Sequence, residues 1–189
     1  VNLFGNPFNY EKINKIAKLN NLFLIEDAAQ SFGSKYKNKV SGSLGDVGCF
    51  SFYPTKSLSC YGDGGAITTN DKKIYEILKS IRVHGKSEKN GNFDRIGLTG
   101  RLDTIQATVL LEKLKKFRSE QKLRMGIAKI YTNAFKQNKL IKTQKIEKYS
   151  LSTFSVFSIE FNNYKLKNKV ISKFKKNKIG YNVYYKRPM

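Results

Sequence analysis

The sequence predicts an α/β fold, with strands and helices alternating and the chemistry gathered at strand ends. Three observations carry this. The apolar run Leu22–Ile25 ends in the acidic pair Glu26 and Asp27, as a buried strand with carboxylates at its C-terminal edge would. A second apolar run, Val47–Tyr53, delivers Lys56 into a polar, glycine-rich surround that includes Gly62, Gly64 and Gly65. Helical spacing then appears on either side of these runs, and it dominates from Asp103 onward.

Taken in order, Val1–Pro7 reads as the end of a strand followed by a turn. Asn9–Asn20 places Ile13, Ile16, Ala17 and Leu19 close to one helical stripe, with Asn20 and Asn21 as the stop. Ala28–Tyr36 is expected to be a small-residue loop or short helix, and Gly42–Asp46 a turn before a strand over Val47–Phe52. Gly62–Thr69 reads as a turn entering a short strand, Ala66–Thr69, and Asp71 as the cap of a helix from Lys72 to about Val83. His84–Thr99 is polar, glycine-rich and too long for a simple connection, which predicts a mobile or binding loop. From Asp103, apolar residues at Ile105, Val109, Leu110, Leu114 and Phe117 continue through Met125, Ile127, Ile130, Tyr131 and Phe135, predicting a long bridging helix. Beyond it, Thr153–Phe161 alternates as a strand, Lys165–Lys176 suggests a helix and Tyr181–Tyr185 a final strand, together a small α+β unit. Both ends read as cut from something longer. The 189 residues are expected to be an internal or truncated piece that alone neither folds with full stability nor catalyses.

Composition narrows the classes. Lys+Arg of 36 against Asp+Glu of 14 gives a net charge of +22, a balance that raises the question of nucleic acid. The charge is scattered through Lys-Asn runs over the whole chain rather than clustered, and no helix-turn-helix pattern accompanies it, so nucleic-acid binding is not expected. It does predict a field that favours anionic ligands. Cys49 and Cys60 are too few for a disulfide framework and read as two small buried thiols in a reducing compartment, with no metal-ligand spacing around them. No apolar run approaches the roughly 20 residues that cross a bilayer, and the chain is expected to be cytoplasmic with no membrane partner.

Lys56 is one basic residue among 36, and an ordinary surface role is the simple reading. Its position argues otherwise. It follows a buried strand, lies opposite a second strand end that carries Asp27, and has Ser51 five residues before it. A Schiff-base site needs such an amine, desolvated and flanked by groups that fix a carbonyl partner. The general pattern for pyridoxal phosphate (PLP) adds an acidic partner for the pyridinium nitrogen, and Asp27 is the candidate.

Five segments in register, EDAAQSFG, GDVGCFSFYPTKSL, GDGGAITTND, RVHG and GRLDTIQATVLLEKL, resemble the successive motifs of the DegT/DnrJ/StrS family of PLP-dependent sugar aminotransferases. The resemblance covers nearly the whole chain and is sharpest from Leu24 to Leu114. It implies an aspartate-aminotransferase-like fold (PLP fold type I), with residues 1–115 as the C-terminal portion of the large PLP-binding α/β domain. Residues 116–189 would be the bridging helix and part of a small α+β C-terminal domain. It also implies a homodimer with shared active sites.

Carried over residue by residue, the resemblance makes Lys56 the catalytic residue, bound to PLP as an aldimine and moving the proton between substrate carbon and cofactor. Asp27 matches the partner of the pyridine nitrogen, Gln30 the glutamine beside the ring, and Ser51 the hydroxyl that helps hold the cofactor phosphate. For Gln30 and Ser51 taken singly, loop capping is the simpler reading. Arg101 and Asp103 match a motif after the loop, and a helix cap with a charge pair explains them equally well. His84, the one histidine, reads as a hydrogen-bonded turn residue. Thr99 stands where many relatives have Asn, which would alter a contact to the neighbouring subunit's cofactor phosphate.

The activity so implied transfers an amino group from an amino acid, glutamate most often in the family, to a nucleotide-linked keto sugar in a ping-pong sequence, for cell-surface or secondary-metabolite amino-sugar biosynthesis. A dehydratase branch of the same family replaces the lysine, typically by histidine, and Lys56 argues against it. A regulatory or nucleic-acid-binding protein borrowing the fold is the alternative of a different class.

Overall fold

The fold is described from a computed structural model covering residues 1–185. The chain opens with a 3-10 turn, Leu3–Gly5, in which Phe4 has φ 58°. Val1 and Asn2 form no strand; one bond, from the Asn2 N–H to the Asp27 carbonyl (2.9 Å), ties them to the sheet. Helix α1, Tyr10–Leu19, starts where the Asn9 side chain accepts the Lys12 N–H, and ends before Asn21, whose φ is positive. Only Ala17 on its stripe is buried.

The main sheet has the order β1-β4-β5. Strand β1 is Ile25–Asp27, β4 is Val47–Ser51, and the two run parallel with Ile25 opposite Val47 and Asp27 opposite Cys49. Strand β5, Gly65–Thr68, is antiparallel to β4 and sets Gly65 opposite Ser51. The expected buried strand Leu22–Ile25 is corrected on two points. The strand begins at Ile25, and Leu22, Phe23 and Ile25 are exposed while Glu26 is fully buried. The alternation of a strand decides this: Glu26 faces inward, and its carboxylate takes hydrogen bonds from Asn2 Nδ2 (2.7 Å), Ser41 Oγ (2.8 Å) and the Leu44 N–H (2.9 Å).

Ala28–Tyr36, expected as loop or short helix, ends in strand β2, Lys35–Tyr36. This pairs with β3, Lys39–Val40, and with β7, Ser150–Leu151. Helix α2, Lys72–Arg82, is capped as expected by Asp71, whose Oδ1 accepts from Lys73 N (2.7 Å) and Ile74 N (3.0 Å). The 84–99 segment is closed on itself by the backbone bonds His84 N to Leu98 O and Asp94 N to Gly85 O, and Leu98 N to Ile81 O joins it to α2.

Helix α3, Thr104–Phe135, is the predicted long helix, with 32 residues. It buries Leu110, Phe117 and Ala128, whereas Ile105 and Leu114 of the same apolar pattern are exposed. The core lies between α3 and the sheet: Phe52, Leu58, Cys60, Leu110 and Phe117, flanked by Phe32, Phe50, Ala66 and Leu102. Phe32 stands edge-on to Phe117 with ring centroids 5.0 Å apart. Gly33, with φ +83°, has no room for a side chain, because a Cβ would lie 2.7 Å from the Phe117 ring.

Past α3, β6 (Ile141–Thr143) pairs antiparallel with β8 (Ile159–Phe161), and α4 spans Tyr164–Lys176 from an Asn163 cap. The strand expected over Thr153–Phe161 is thus confined to its last three residues. Thr153 is instead drawn into a buried polar contact, its N–H to Gly5 O (3.1 Å) and its hydroxyl 3.0 Å from Ser34 Oγ, and Phe154 turns with φ 47°. Tyr181–Tyr185 is not a strand either; Tyr184 packs edge-on against Phe4 and Tyr181 tilts against Phe174. The terminal KRPM stretch lies outside the described residues. Cys60 is buried as expected, Cys49 only half-buried, and both thiols are free. Among the described residues no helix is long and apolar enough to cross a membrane, and no group of three His, Cys, Asp or Glu is placed to hold a metal ion.

Candidate active site

Because β1 and β4 are parallel, their C-terminal ends open on one edge of the sheet, the edge where α/β sheets place their ligands. Asp27 is the last residue of β1 and Ser51 the last of β4. Asp27 Oδ1 accepts the Ala29 N–H (3.0 Å) in a turn that starts the next loop. Among the described residues, Oδ2 has no hydrogen-bond partner. The two neighbouring carboxylates are therefore distinct: Glu26 is saturated by buried donors, while half-buried Asp27 keeps an acceptor free.

Gln30 follows in that loop, and its Oε1 accepts the Phe4 N–H (2.7 Å). Its carbonyl thus serves the loop-capping role, fastening the left-handed Phe4 turn, and its amide NH2 has no partner among the described residues. Ser51 Oγ accepts the Tyr53 N–H at 3.3 Å, which leaves the hydroxyl proton free to be donated. Lys56 sits on the turn that follows β4, with its N–H bonded to Tyr53 O (2.8 Å). Its side chain is half-buried, and its amine has no hydrogen bond or ion pair among the described residues.

The fold thus joins Asp27 and Ser51 through adjacent strands and brings Gln30 and Lys56 to the same edge on the two succeeding loops. It makes no hydrogen bond among the four. A cleft of about 350 Å3, lined by Phe32, Val40, Ser41, Phe50, Thr68 and Asn70 among others, includes none of them. Burial first, then the charges of Asp27 and Glu26, push the Cys49 thiol above its ordinary pKa.

The remaining candidates are structural or uncommitted. His84 is an exposed turn residue with φ 61°, its Nδ1 3.4 Å from Thr99 Oγ1. Asp103 occupies the N-cap position of α3, but its side chain makes no capping bond, and no ion pair joins it to Arg101 among the described residues. Gln106, which sequence pattern marks only by its place in GRLDTIQA, accepts the Tyr61 N–H through Oε1 (2.7 Å) just beyond the lysine turn.

The profile of the DegT/DnrJ/EryC1/StrS aminotransferase family matches residues 1–189. The chain belongs to that family. A UDP-2-acetamido-2-deoxy-3-oxo-D-glucuronate aminotransferase of Pseudomonas aeruginosa is 42% identical over 163 residues, 86% of this chain and 45% of that protein. A family aminotransferase from Brucella abortus, known as a crystal structure, superimposes with a TM-score of 0.92 at 42% identity, covering 99% of this chain and 49% of its own. An Escherichia coli GDP-4-keto-6-deoxy-D-mannose-3-dehydratase holding hydrated PLP matches with a TM-score of 0.78 at 26% identity, over 93% of this chain and 50% of that one. The chain spans about half the length of the curated relatives it matches. The α/β architecture is that of the family's PLP-dependent aminotransferases.

Proposed function

We propose that the protein containing this chain is a PLP-dependent aminotransferase that moves an amino group from an amino acid, glutamate by expectation, onto a nucleotide-linked keto sugar. The observation that carries the reading is the donor set at the β1/β4 edge. Among the described residues, each of the four candidates has one polar function engaged by the fold, or none, and another left open: Oδ2 of Asp27, the amide NH2 of Gln30, the hydroxyl proton of Ser51 and the amine of Lys56. Those open functions fit PLP, which offers a ring nitrogen, a ring oxygen, a phosphate and an aldehyde.

When bound, PLP supplies an electron sink for the carbon that loses its proton. Asp27 would hold the proton on the ring nitrogen through Oδ2, and the Ala29 N–H fixes its orientation by occupying Oδ1. Gln30, fastened by its carbonyl to Phe4, would present its amide beside the ring. Ser51 would donate to the phosphate. Lys56 would hold the aldehyde carbon and, once displaced, carry the proton as general base through Nζ.

The excess of 36 basic over 14 acidic residues suits a nucleotide diphosphate. Residues 1–115 would belong to the large cofactor domain and the chain from 116 onward to the bridging helix and small domain, in a homodimer whose active sites are shared. In the dehydratase branch the resemblance implies histidine in place of the lysine, and Lys56 favours transamination. The test is an amino-donor and keto-sugar screen on the protein expressed from its full reading frame, followed by mass spectrometry. Conversion of a nucleotide-linked keto sugar to its amino derivative with glutamate is expected; loss of water from the sugar without nitrogen gain would replace transfer with dehydration.

A further inference from the structure

The motif Gly100–Ala107 has no assigned task in this reading, and its contacts suggest one. Lys56 rides on a loop closed at its neck by Phe52 N to Gly64 O (2.7 Å) and Cys60 N to Phe52 O (2.9 Å), with the buried Cys60 Sγ also donating to Phe52 O (3.1 Å). Two points are fastened to α3, Ser59 on the far limb of that loop and Tyr61 just past its Cys60 neck. Tyr61 N donates to Gln106 Oε1 (2.7 Å), and Lys113 Nζ donates to Ser59 Oγ (3.0 Å) while lying 4.8 Å from the Tyr61 ring centroid. The near limb, which carries Lys56, has among the described residues the Lys56 N to Tyr53 O bond (2.8 Å) and the Tyr53 N to Ser51 Oγ bond (3.3 Å), and neither reaches α3.

The helix forgoes something for this. Asp103 at the N-cap and Gln106 in the first turn have the spacing of a capping box, in which the two side chains would satisfy each other's backbone N–H groups. Neither bond forms in that way: Asp103 makes no capping bond, and the Gln106 carbonyl is turned outward to Tyr61. A side chain placed to cap its helix is instead committed to the lysine loop.

We propose that Gln106, supported by Lys113, is a positioning residue that fixes the loop bearing Lys56 and so sets the environment of its amine. The inference rests on the reading of Lys56 as the PLP lysine.

The experiment uses the protein from its full reading frame with PLP bound, comparing wild type with Gln106→Met, Lys113→Met, Gln106→Glu and, as a remote destabilised control, Asp71→Ala. Gln106→Met should speed amide exchange at Tyr61 by about tenfold. It should also move the midpoint of the pH titration of the bound-PLP absorption band by about half a unit. Lys113→Met should move both in the same sense by less, Gln106→Glu, which keeps the acceptor, should restore wild-type exchange, and Asp71→Ala should leave the midpoint in place. Faster exchange at Tyr61 with an unmoved midpoint would reduce Gln106 to a structural clasp, and unchanged exchange would overturn the clasp itself. Failure of the lysine reading is visible separately, as a band that survives Lys56→Ala.

Discussion

Asp27 and Cys49 are Cα partners across the parallel β1/β4 pair, and the thiol is held above its ordinary pKa by burial and by the negative charges of Asp27 and Glu26. The pair makes Cys49 a reporter of the charge at the proposed site. In the PLP-free protein, Asp27→Asn removes one of the charges that disfavour the thiolate, so the Cys49 pKa falls and more thiolate is present at pH 8. Alkylation of Cys49 should therefore be faster in Asp27→Asn than in wild type, as read by peptide mass spectrometry, with buried Cys60 unreactive in both. An equal or slower rate would mean that Asp27 does not face that edge.

Glu26 and Asp27 should separate cleanly by variant. Glu26→Ala leaves Asn2, Ser41 and the Leu44 N–H without their acceptor and should cost about 3 kcal/mol in urea denaturation. Asp27→Ala removes one turn bond and should cost about 1 kcal/mol or less while abolishing turnover. Similar costs for the two would remove the distinction drawn between them.

Gly33→Ala forces a methyl group onto Phe117 at a backbone conformation with φ +83°. The combination should destabilise by about 2 kcal/mol or more, measured by denaturant midpoint, because neither the turn nor the core can yield alone. A neutral effect would show that the contact between this loop and α3 is loose.

Asp71→Ala should cost about 1 kcal/mol through loss of the two bonds that start α2, and Asp71→Ser should recover most of it. Retained stability in the alanine variant would argue that water replaces the cap without loss.

The parts of the fold legible in the sequence are those written in local pattern. The stripe from Ile13 to Leu19 announces α1, Asp71 announces α2, the apolar run from Val47 announces β4, and the spacing from Ile105 announces α3. What escaped is decided by partners far along the chain. Glu26 is buried by Asn2, which lies 24 residues away. Thr153 leaves its expected strand for Ser34, 119 residues away. Strands β2, β3 and β7 are two residues each, too short to show a period of two. In the candidate site, Lys56, Asp27, Gln30 and Ser51 are legible from strand ends and from the family motifs. The Gln106 clasp spans 45 residues to Tyr61 and leaves no local trace beyond its place in a motif.

The most direct measurement is the absorption spectrum of the protein from its full reading frame, purified with PLP, beside that of Lys56→Ala. The wild type is expected to show a band near the edge of the visible range, to lose it in Lys56→Ala, and on borohydride reduction to yield a phosphopyridoxyl group on the peptide containing Lys56. An unchanged band in Lys56→Ala, or the label on a different lysine, would contradict the assignment of the site.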